Sequence, residues 1–313
     1  MKALVTGGSG FIGSNVVKLL LEKGYEVVVL DNLSSGHLIN IEKNIKENDI
    51  QFIKDDIRNE GIKNVFKNVD VVFHLAACVG RQKSLDDPYL DSSTNMMGTL
   101  NVLECMRQNN VPRIVYSSSA AIFGELTTPT IDENHPLNAD SPYGVSKLAA
   151  EKMILSYSGI YNITASCLRY FNIYGINQRF DLYGNVIPIF AKRLYSREPI
   201  TIYGDGTQTR DFVNVKDVAR ANYLASLNES TDVYNLGSGS SISINLLAEK
   251  MQDISKIRTR IQYLPERPAD VKHCKANTNK AWDKLNFKAE VPLADGLSEY
   301  LEWFNRNCVE VKQ

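Results

Sequence analysis

The chain has 313 residues and a formal net charge of −1. That length allows a large core and two lobes, while the near-neutral balance lacks the basic excess of a nucleic-acid binder, although local arginines can still hold an anionic substrate. No apolar run approaches a membrane span and the first apolar segment begins within three residues of Met1, so no membrane partner, no signal peptide and a cytoplasmic location are expected.

Apolar residues over 2–6 predict a strand, and the pattern over 12–23 predicts a helix. Between them lies Thr6-Gly7-Gly8-Ser9-Gly10-Phe11-Ile12-Gly13. Strand, glycine turn and helix in this order make a dinucleotide site. Gly7 serves the tight turn, Gly10 admits a pyrophosphate to the backbone, and Gly13 lets helix and strand pack closely, with Phe11 and Ile12 in the first helical turn. The pyrophosphate then rests at the positive end of the helix dipole. A second strand, 26–31, ends on Asp31. An acid there accepts hydrogen bonds from the adenosine ribose hydroxyls and repels a 2′-phosphate. No arginine follows in Asn32-Leu33-Ser34-Ser35-Gly36, so NAD is expected rather than NADP.

Further strands are predicted over 50–54, 70–75, 112–117 and 163–169, with helices over 60–67, 92–109 and 143–157. Alternating strands and helices imply an α/β fold, a doubly wound parallel (Rossmann) sheet. Five cysteines, Cys78, Cys105, Cys167, Cys274 and Cys308, show no CxxC and read as reduced thiols. The four histidines have no metal-ligand spacing, so no metal is expected. After about residue 175 the pattern loosens into a loop at 181–185, a helix at 186–197, a strand at 200–203, a helix at 214–226, a strand at 233–236 and helices at 244–251 and 293–305. The expected division gives 1–175, with 212–237 returning to it, to the dinucleotide domain. Residues 176–211 and 238–313 then form a smaller mixed α/β substrate-binding lobe, and the cleft between the two suits a small molecule.

Tyr143 and Lys147 follow Ser141-Pro142 at the start of a predicted helix, and their spacing of four puts them on one face. An ammonium beside a phenol favours the phenolate and is expected to lower the tyrosine pKa from its usual value of about 10. Such a tyrosine takes a proton from an alcohol while a nicotinamide takes hydride from the carbon. The strand at 112–117 runs into Ser117-Ser118-Ser119, where Ser119 can relay that proton.

The segments TGGSGFIG, DNLSSG, HLAA, SSSAAIFG, SPYGVSK, RYFNIYG and RDFVNVKDVA occur in that order. Together they resemble the extended short-chain dehydrogenase/reductase family, within its nucleotide-sugar epimerase and dehydratase group, over nearly the whole chain. The resemblance implies NAD chemistry on a UDP-sugar. It assigns to the cofactor Asn32, Ser35 and Gly36 of the second motif, Asp56 and Ile57 at the adenine, Leu75, Ala76 and Ala77 along the channel, Asn95, Ser117, and Tyr170 beside the nicotinamide. To the substrate it assigns Asn172, the uracil loop Asn185, Val186 and Ile187, Tyr203 under the nucleoside, Arg210 and Arg267 at the diphosphate, and Asp270 at the ribose. Paired arginines suit a diphosphate because each guanidinium offers bidentate donors.

Dehydratases of the group carry an acid just after the hydroxyl residue, where this chain has Ala120 and Ala121. Without that acid a 4-keto sugar is simply reduced again, which points to a 4-epimerase. The segment Cys78-Val79-Gly80-Arg81-Gln82-Lys83-Ser84 resembles the branch acting on N-acetylated sugars, where the loop bearing Arg81, Lys83 and Ser84 faces the hexose. Cys274 stands where glucose-only relatives carry a tyrosine, leaving room for an N-acetyl group. The resemblance thus implies interconversion of UDP-GlcNAc and UDP-GalNAc, with UDP-Glc and UDP-Gal also open. It also implies a homodimer through the helices at 92–109 and 143–157. Two alternatives stay open: a hexuronate epimerase or other reductase using Arg81 or Lys83 for a C6 carboxylate, and a non-catalytic NAD-binding protein.

Overall fold

A computed structural model describes residues 1–124, 126–180, 184–266 and 271–309. Seven short strands form one parallel sheet: β1 (Lys2–Thr6), β2 (Glu26–Leu30), β3 (Ile50–Ile53), β4 (Val71–His74), β5 (Arg113–Ser119), β6 (Thr164–Tyr170) and β7 (Asp232–Leu236). Their spatial order is β3-β2-β1-β4-β5-β6-β7. The order reverses between β1 and β4, which is where a doubly wound sheet opens a crevice at its carboxyl edge.

Alternation along the strands explains why both faces are covered. Ala3 and Val5, Val27 and Val29, and Val71 and Phe73 point into one core. Leu4, Val28, Val72, Ile114 and Tyr116 point into the other. The first core is closed by α1 (Phe11–Glu22) through Val16, Val17 and Leu20. The second is closed by α2 (Thr99–Gln108) through Val102, Leu103 and Met106, and by α3 (Pro142–Tyr161) through Ala150 and Ile154. Each such side chain taken wholly out of water contributes about 1.5–3 kcal/mol before entropy is counted. The segment after Phe212 returns to the sheet: α4 (Val215–Ser226) packs on α1, and β7 pairs with β6. The helix Asn279–Leu285 joins the same core through Ala281 and Leu285.

The smaller lobe has its own core of Tyr174, Phe190, Leu194, Ile202, Leu247 and Leu301 with their neighbours. Its strands come in pairs, Ile200–Tyr203 beside Ile261–Leu264 and Thr209–Arg210 beside Ile242–Ser243. Asn172–Tyr174 pairs with Phe212–Asn214 where the lobe meets the sheet. Among the described residues no helix is long and apolar enough to cross a membrane.

The main elements follow the sequence expectation, with instructive differences. The segment 60–67 is a 3-10 helix, Glu60–Phe66, rather than an α-helix. The helix predicted over 92–109 is broken into Pro88–Ser92, a π-turn over Ser93–Gly98, and α2. The widened turn brings Asp91, Asn95 and Gly98 to the buried side together. The short helices Glu42–Lys46 and Asn279–Leu285 and the strand Ile261–Leu264 escape sequence reading, because they are too brief to show a period.

Candidate active site

The glycine turn is built by close approach. Gly7 has φ +72°, and a Cβ there would stand 2.7 Å from the Ala76 amide nitrogen. A Cβ on Gly13 would stand 2.1 Å from the Gly7 carbonyl oxygen. At Gly10 the only neighbour of such a Cβ is that same oxygen, at 3.1 Å, so this side of the turn is open. Gly10 is the N-cap of α1, with no side-chain cap and no acid in the first turn. The first N–H groups of a 12-residue helix therefore face the crevice with their dipole uncompensated, which fits a pyrophosphate. Asp31 Oδ2 accepts from Ser9 N at 2.9 Å and Oδ1 from Leu33 N at 2.8 Å. The acid thus ties the glycine turn to the end of β2 while lone pairs remain for a diol. Gly36 closes on the same carboxylate. Asn32 donates to Asp56 at 2.8 Å, and Arg58 grips Asp56 with two nitrogens. The Arg58 hydrogen bonds hold the Asp56 carboxyl far below the usual range. Ile57 next to it is buried in the second core.

A buried chain runs from this turn to α3. Thr99 Oγ1 donates to the Asn95 carbonyl at 2.6 Å, so it must accept from His74 Nε2–H at 2.9 Å. His74 Nδ1 then accepts from Thr6 Oγ1 at 2.7 Å. Burial keeps this imidazole neutral, its pKa lowered to about 3. Asn95 in turn clamps the loop after β4, accepting from Cys78 N at 2.8 Å and donating to Cys78 O at 2.9 Å. Leu75 and Ala76 are held at that loop by the Thr6 carbonyl and hydroxyl, and Ala77 lies between Ala76 and the Cys78 clamp.

Ser119 ends β5 two residues beyond the predicted strand, and its hydroxyl accepts from Ala121 N at 3.2 Å. The helix α3, which carries Tyr143 and Lys147, starts on a cap: Ser141 Oγ accepts from Gly144 N at 3.2 Å and Pro142 occupies the first turn. Such a cap contributes about 1 kcal/mol. The Tyr143 amide, which has no helical partner, donates to Ser84 Oγ at 3.1 Å. Ser84 is fully buried and its own proton goes to the Arg81 carbonyl at 2.7 Å. The hydroxyl assigned to the sugar therefore positions Tyr143 instead.

The phenol departs from the sequence expectation. Burial raises Tyr143 to about 12, and a hydrogen bond with the Ser119 side chain pulls it back only in part. Lys147 is itself buried, and its pKa falls to about 7 because desolvation outweighs the attraction of Asp91 and Glu151. Its ammonium sits 4.3 Å above the Tyr116 ring. In this pocket desolvation of the phenolate wins over the lysine.

Tyr170 is buried opposite Ser119 across the β5–β6 register, its hydroxyl tied to Asn222 at 2.8 Å and to Ser117. Asn172 donates to the Asp211 carbonyl at 3.3 Å. In the lobe, Asn185 occupies the N-cap position of the helix Val186–Tyr195 without a side-chain cap bond and is exposed, Val186 is half-buried, and Ile187 is sealed in the lobe core. Tyr203 lines a cleft of about 230 Å³ with Gln208, Val271 and His273. Arg210 Nη1 donates to the Thr209 and Val271 carbonyls and lines a second cleft of about 200 Å³ with Phe212, Ser238 and Ser240. Cys274 and Ala120 both pack on the small cluster of Ile122, Phe123, Ile131, Phe171 and Ala276. Arg81 is exposed and paired with Asp140 at 3.0 Å. Lys83 lies near Cys78. Arg267 and Asp270 lie outside the described residues. Among the described residues no cluster of three acid, histidine or cysteine side chains could hold a metal ion.

Sequence reasoning misses the supports: Thr6, His74, Asp91, Thr99, Ser146 and Asp211. Asp211 is fully buried and accepts from Ser238 N, Gly239 N and Ala276 N, stitching the lobe to the sheet edge. Only Ser141-Pro142 carries a local signal, that of a cap.

The family model described as GDP-mannose 4,6 dehydratase matches residues 4–300. A putative UDP-glucose 4-epimerase of Methanocaldococcus jannaschii is 39% identical over 97% of this chain and 98% of its own. Among solved structures, UDP-N-acetylglucosamine 4-epimerase from Methanobrevibacter ruminantium, in complex with UDP-N-acetylmuramic acid, superposes with a TM-score of 0.94 at 34% identity, covering 97% of this chain and 98% of that one. UDP-glucose 4-epimerase of Thermus thermophilus in complex with NAD gives 0.89 at 34% identity, covering 98% of this chain and all of that one.

Proposed function

Because this chain belongs to the extended short-chain dehydrogenase/reductase family of nucleotide-sugar enzymes, through the GDP-mannose 4,6 dehydratase model that spans residues 4–300, we propose that it is an NAD-dependent UDP-sugar 4-epimerase acting on UDP-GlcNAc and UDP-GalNAc. The observation that carries this reading is the Ser119–Tyr143 hydrogen bond at the carboxyl edge of the sheet, followed by Ala120 and Ala121 rather than an acid.

NAD, when bound, supplies a hydride acceptor and donor. The open Gly10 turn, the uncapped start of α1 and Asp31 are the groups that would hold it. Tyr143 takes the proton from the sugar 4-OH through or beside Ser119 and later returns it. A phenol held at about 12 is almost wholly protonated near neutral pH, so the positive charge of Lys147, with that of NAD when bound, would be needed to bring the phenolate into range. With alanines at 120 and 121, no side chain there removes the C5 proton, so reduction from the opposite face is the open course.

Three features support the N-acetylated substrates: the small Cys274 side chain, its place on the same small cluster as Ala120, the neighbour of Ser119, and the relative from Methanobrevibacter named above. With Arg81 paired to Asp140, Lys83 is the cation on which the hexuronate alternative would rest. Exposed Tyr89, Met97, Val145, Ile160 and Tyr161, in and around α2 and α3, support a homodimer through those helices.

The test is incubation of the purified protein with UDP-GlcNAc, UDP-Glc and UDP-glucuronate separately, without added NAD, followed by chromatography of the sugars. Inversion of UDP-GlcNAc to UDP-GalNAc is expected. Turnover of UDP-glucuronate alone would replace the substrate assignment, and no inversion of any of them, even with NAD added, would overturn the epimerase reading.

A further inference from the structure

Asp91 is a buried carboxylate that the chemistry above does not use. It sits in the short helix Pro88–Ser92, which packs on α3, and is fully withdrawn from solvent. Its Oδ1 accepts from Asn95 Nδ2 at 3.1 Å, and the same amide nitrogen donates to Ser146 Oγ at 3.0 Å. Among the described residues its Oδ2 has no hydrogen-bond partner, while Ser146 beside the carboxyl offsets part of the rise that burial causes. An isolated buried carboxylate is costly unless something opposes its charge.

Lys147 poses the complementary problem. Its side chain is buried and, among the described residues, Nζ has only the Tyr116 ring at 4.3 Å, with no carboxylate at ion-pair distance. Glu151, one turn further along α3, is already matched: Arg169 binds it at 2.7 Å and Ser118 donates to it at 2.7 Å. Among the described residues no cation lies at ion-pair distance from Asp91. A three-donor ammonium and an orphaned oxygen thus share one interior, each bearing on the other's charge. We propose that Asp91 is the buried counter-charge of Lys147, a positioning residue whose charge also reaches Tyr143.

The surrounding titratable groups define what its loss does. His74 and Tyr116 face the cluster from the sheet, Cys78 from the loop after β4, Tyr143 and Glu151 from α3, and Cys167 from β6. The negative charge of Asp91 holds Lys147 up and also holds Tyr143 up. Removing that charge lets both fall. The two limbs of the activity profile that the phenol and the ammonium set then move to lower pH together. A merely structural loss would lower the rate at every pH and leave both limbs in place.

Two experiments decide it, and only the second rests on the epimerase reading. In the first, melting temperatures of the wild type, Asp91→Asn, Lys147→Met and the double variant are compared at pH 6.5. Lys147→Met strands the carboxylate, so the double variant should melt about 2 °C or more above the sum of the single effects. Additive shifts would overturn the pairing. Should Lys147→Met fail to fold, recovery of soluble protein by Asp91→Asn supports the pair and absence of recovery counts against it. In the second, the pH profile of UDP-sugar epimerisation by Asp91→Asn should move down by about one pH unit on both limbs. A slower enzyme with unmoved limbs would refute the action on Tyr143. A wild type that inverts no UDP-sugar would sink the epimerase reading and leave the melting cycle to judge the ion pair.

Discussion

At Tyr143 the proposed chemistry depends on one hydroxyl. Tyr143→Phe keeps the ring and the amide bond to Ser84 but removes the proton carrier. Epimerisation should fall by roughly 10²–10⁴-fold, with NAD still present in the purified protein when it is denatured and its extract assayed. Turnover near the wild-type rate would take Tyr143 out of the reaction. Cys274 tests specificity. A tyrosine there adds a ring at the cluster that Ala120 also joins, and overpacking of about 1–3 kcal/mol corresponds to a loss on the order of 5- to 150-fold for N-acetylhexosamine turnover. UDP-Glc turnover should be spared. Equal losses on both sugars would show that Cys274 does not gate the pocket. Ser119, Tyr143 and Lys147 were legible because their spacing is local. Asp91 was not, since an acid in a polar stretch reads as surface and its partners stand 4 and 56 residues away.

Among the elements, the strand β1, the glycine turn and α1 were readable as a unit because Gly7 and Gly13 stand where a side chain would meet backbone and Gly10 where the turn is open. Gly13→Ala puts a methyl group against the Gly7 carbonyl oxygen, a backbone atom that cannot step aside as a flexible side chain would. The expected result is a lower melting temperature together with loss of co-purifying NAD. Retention of the cofactor at wild-type stoichiometry would show that the turn relaxes freely. The broken helix ahead of α2 was not legible. Its apolar pattern reads as one continuous helix, and the π-turn over Ser93–Gly98 is held by contacts distant in sequence, Asn95 to Cys78 and to Ser146. Tertiary hydrogen bonds there override local preference. The pair Arg169–Glu151 is of the same kind: two charged residues that sequence places on a surface are buried because they neutralise each other. Removing one partner typically costs about 3–5 kcal/mol.

For the whole molecule, the outer faces of α2 and α3 leave Met97, Val145, Ile160 and Tyr161 in water, and Tyr157 and Arg107 meet across them on Glu104. Pairing with a second copy would cover this face. Light scattering should then give about 70 kDa, twice the 35.1 kDa chain, and 35 kDa at working concentration would exclude the dimer. The doubly wound sheet was readable from alternation because both faces of every strand are covered. The smaller lobe was only partly readable, since its strands are two to four residues long and find partners far along the chain. The seam through the middle of the sheet, Thr6 to His74 to Thr99 to Asn95, has one more consequence. Both imidazole nitrogens are already committed, so a second proton could enter only by breaking the bond to Thr6. Between pH 5 and 8, where an ordinary histidine changes charge, this one is electrically mute. The nucleotide cradle and the loop beside the sugar are thereby joined by a link that transmits position and no charge, and whatever acidity does to turnover is written elsewhere in the pocket.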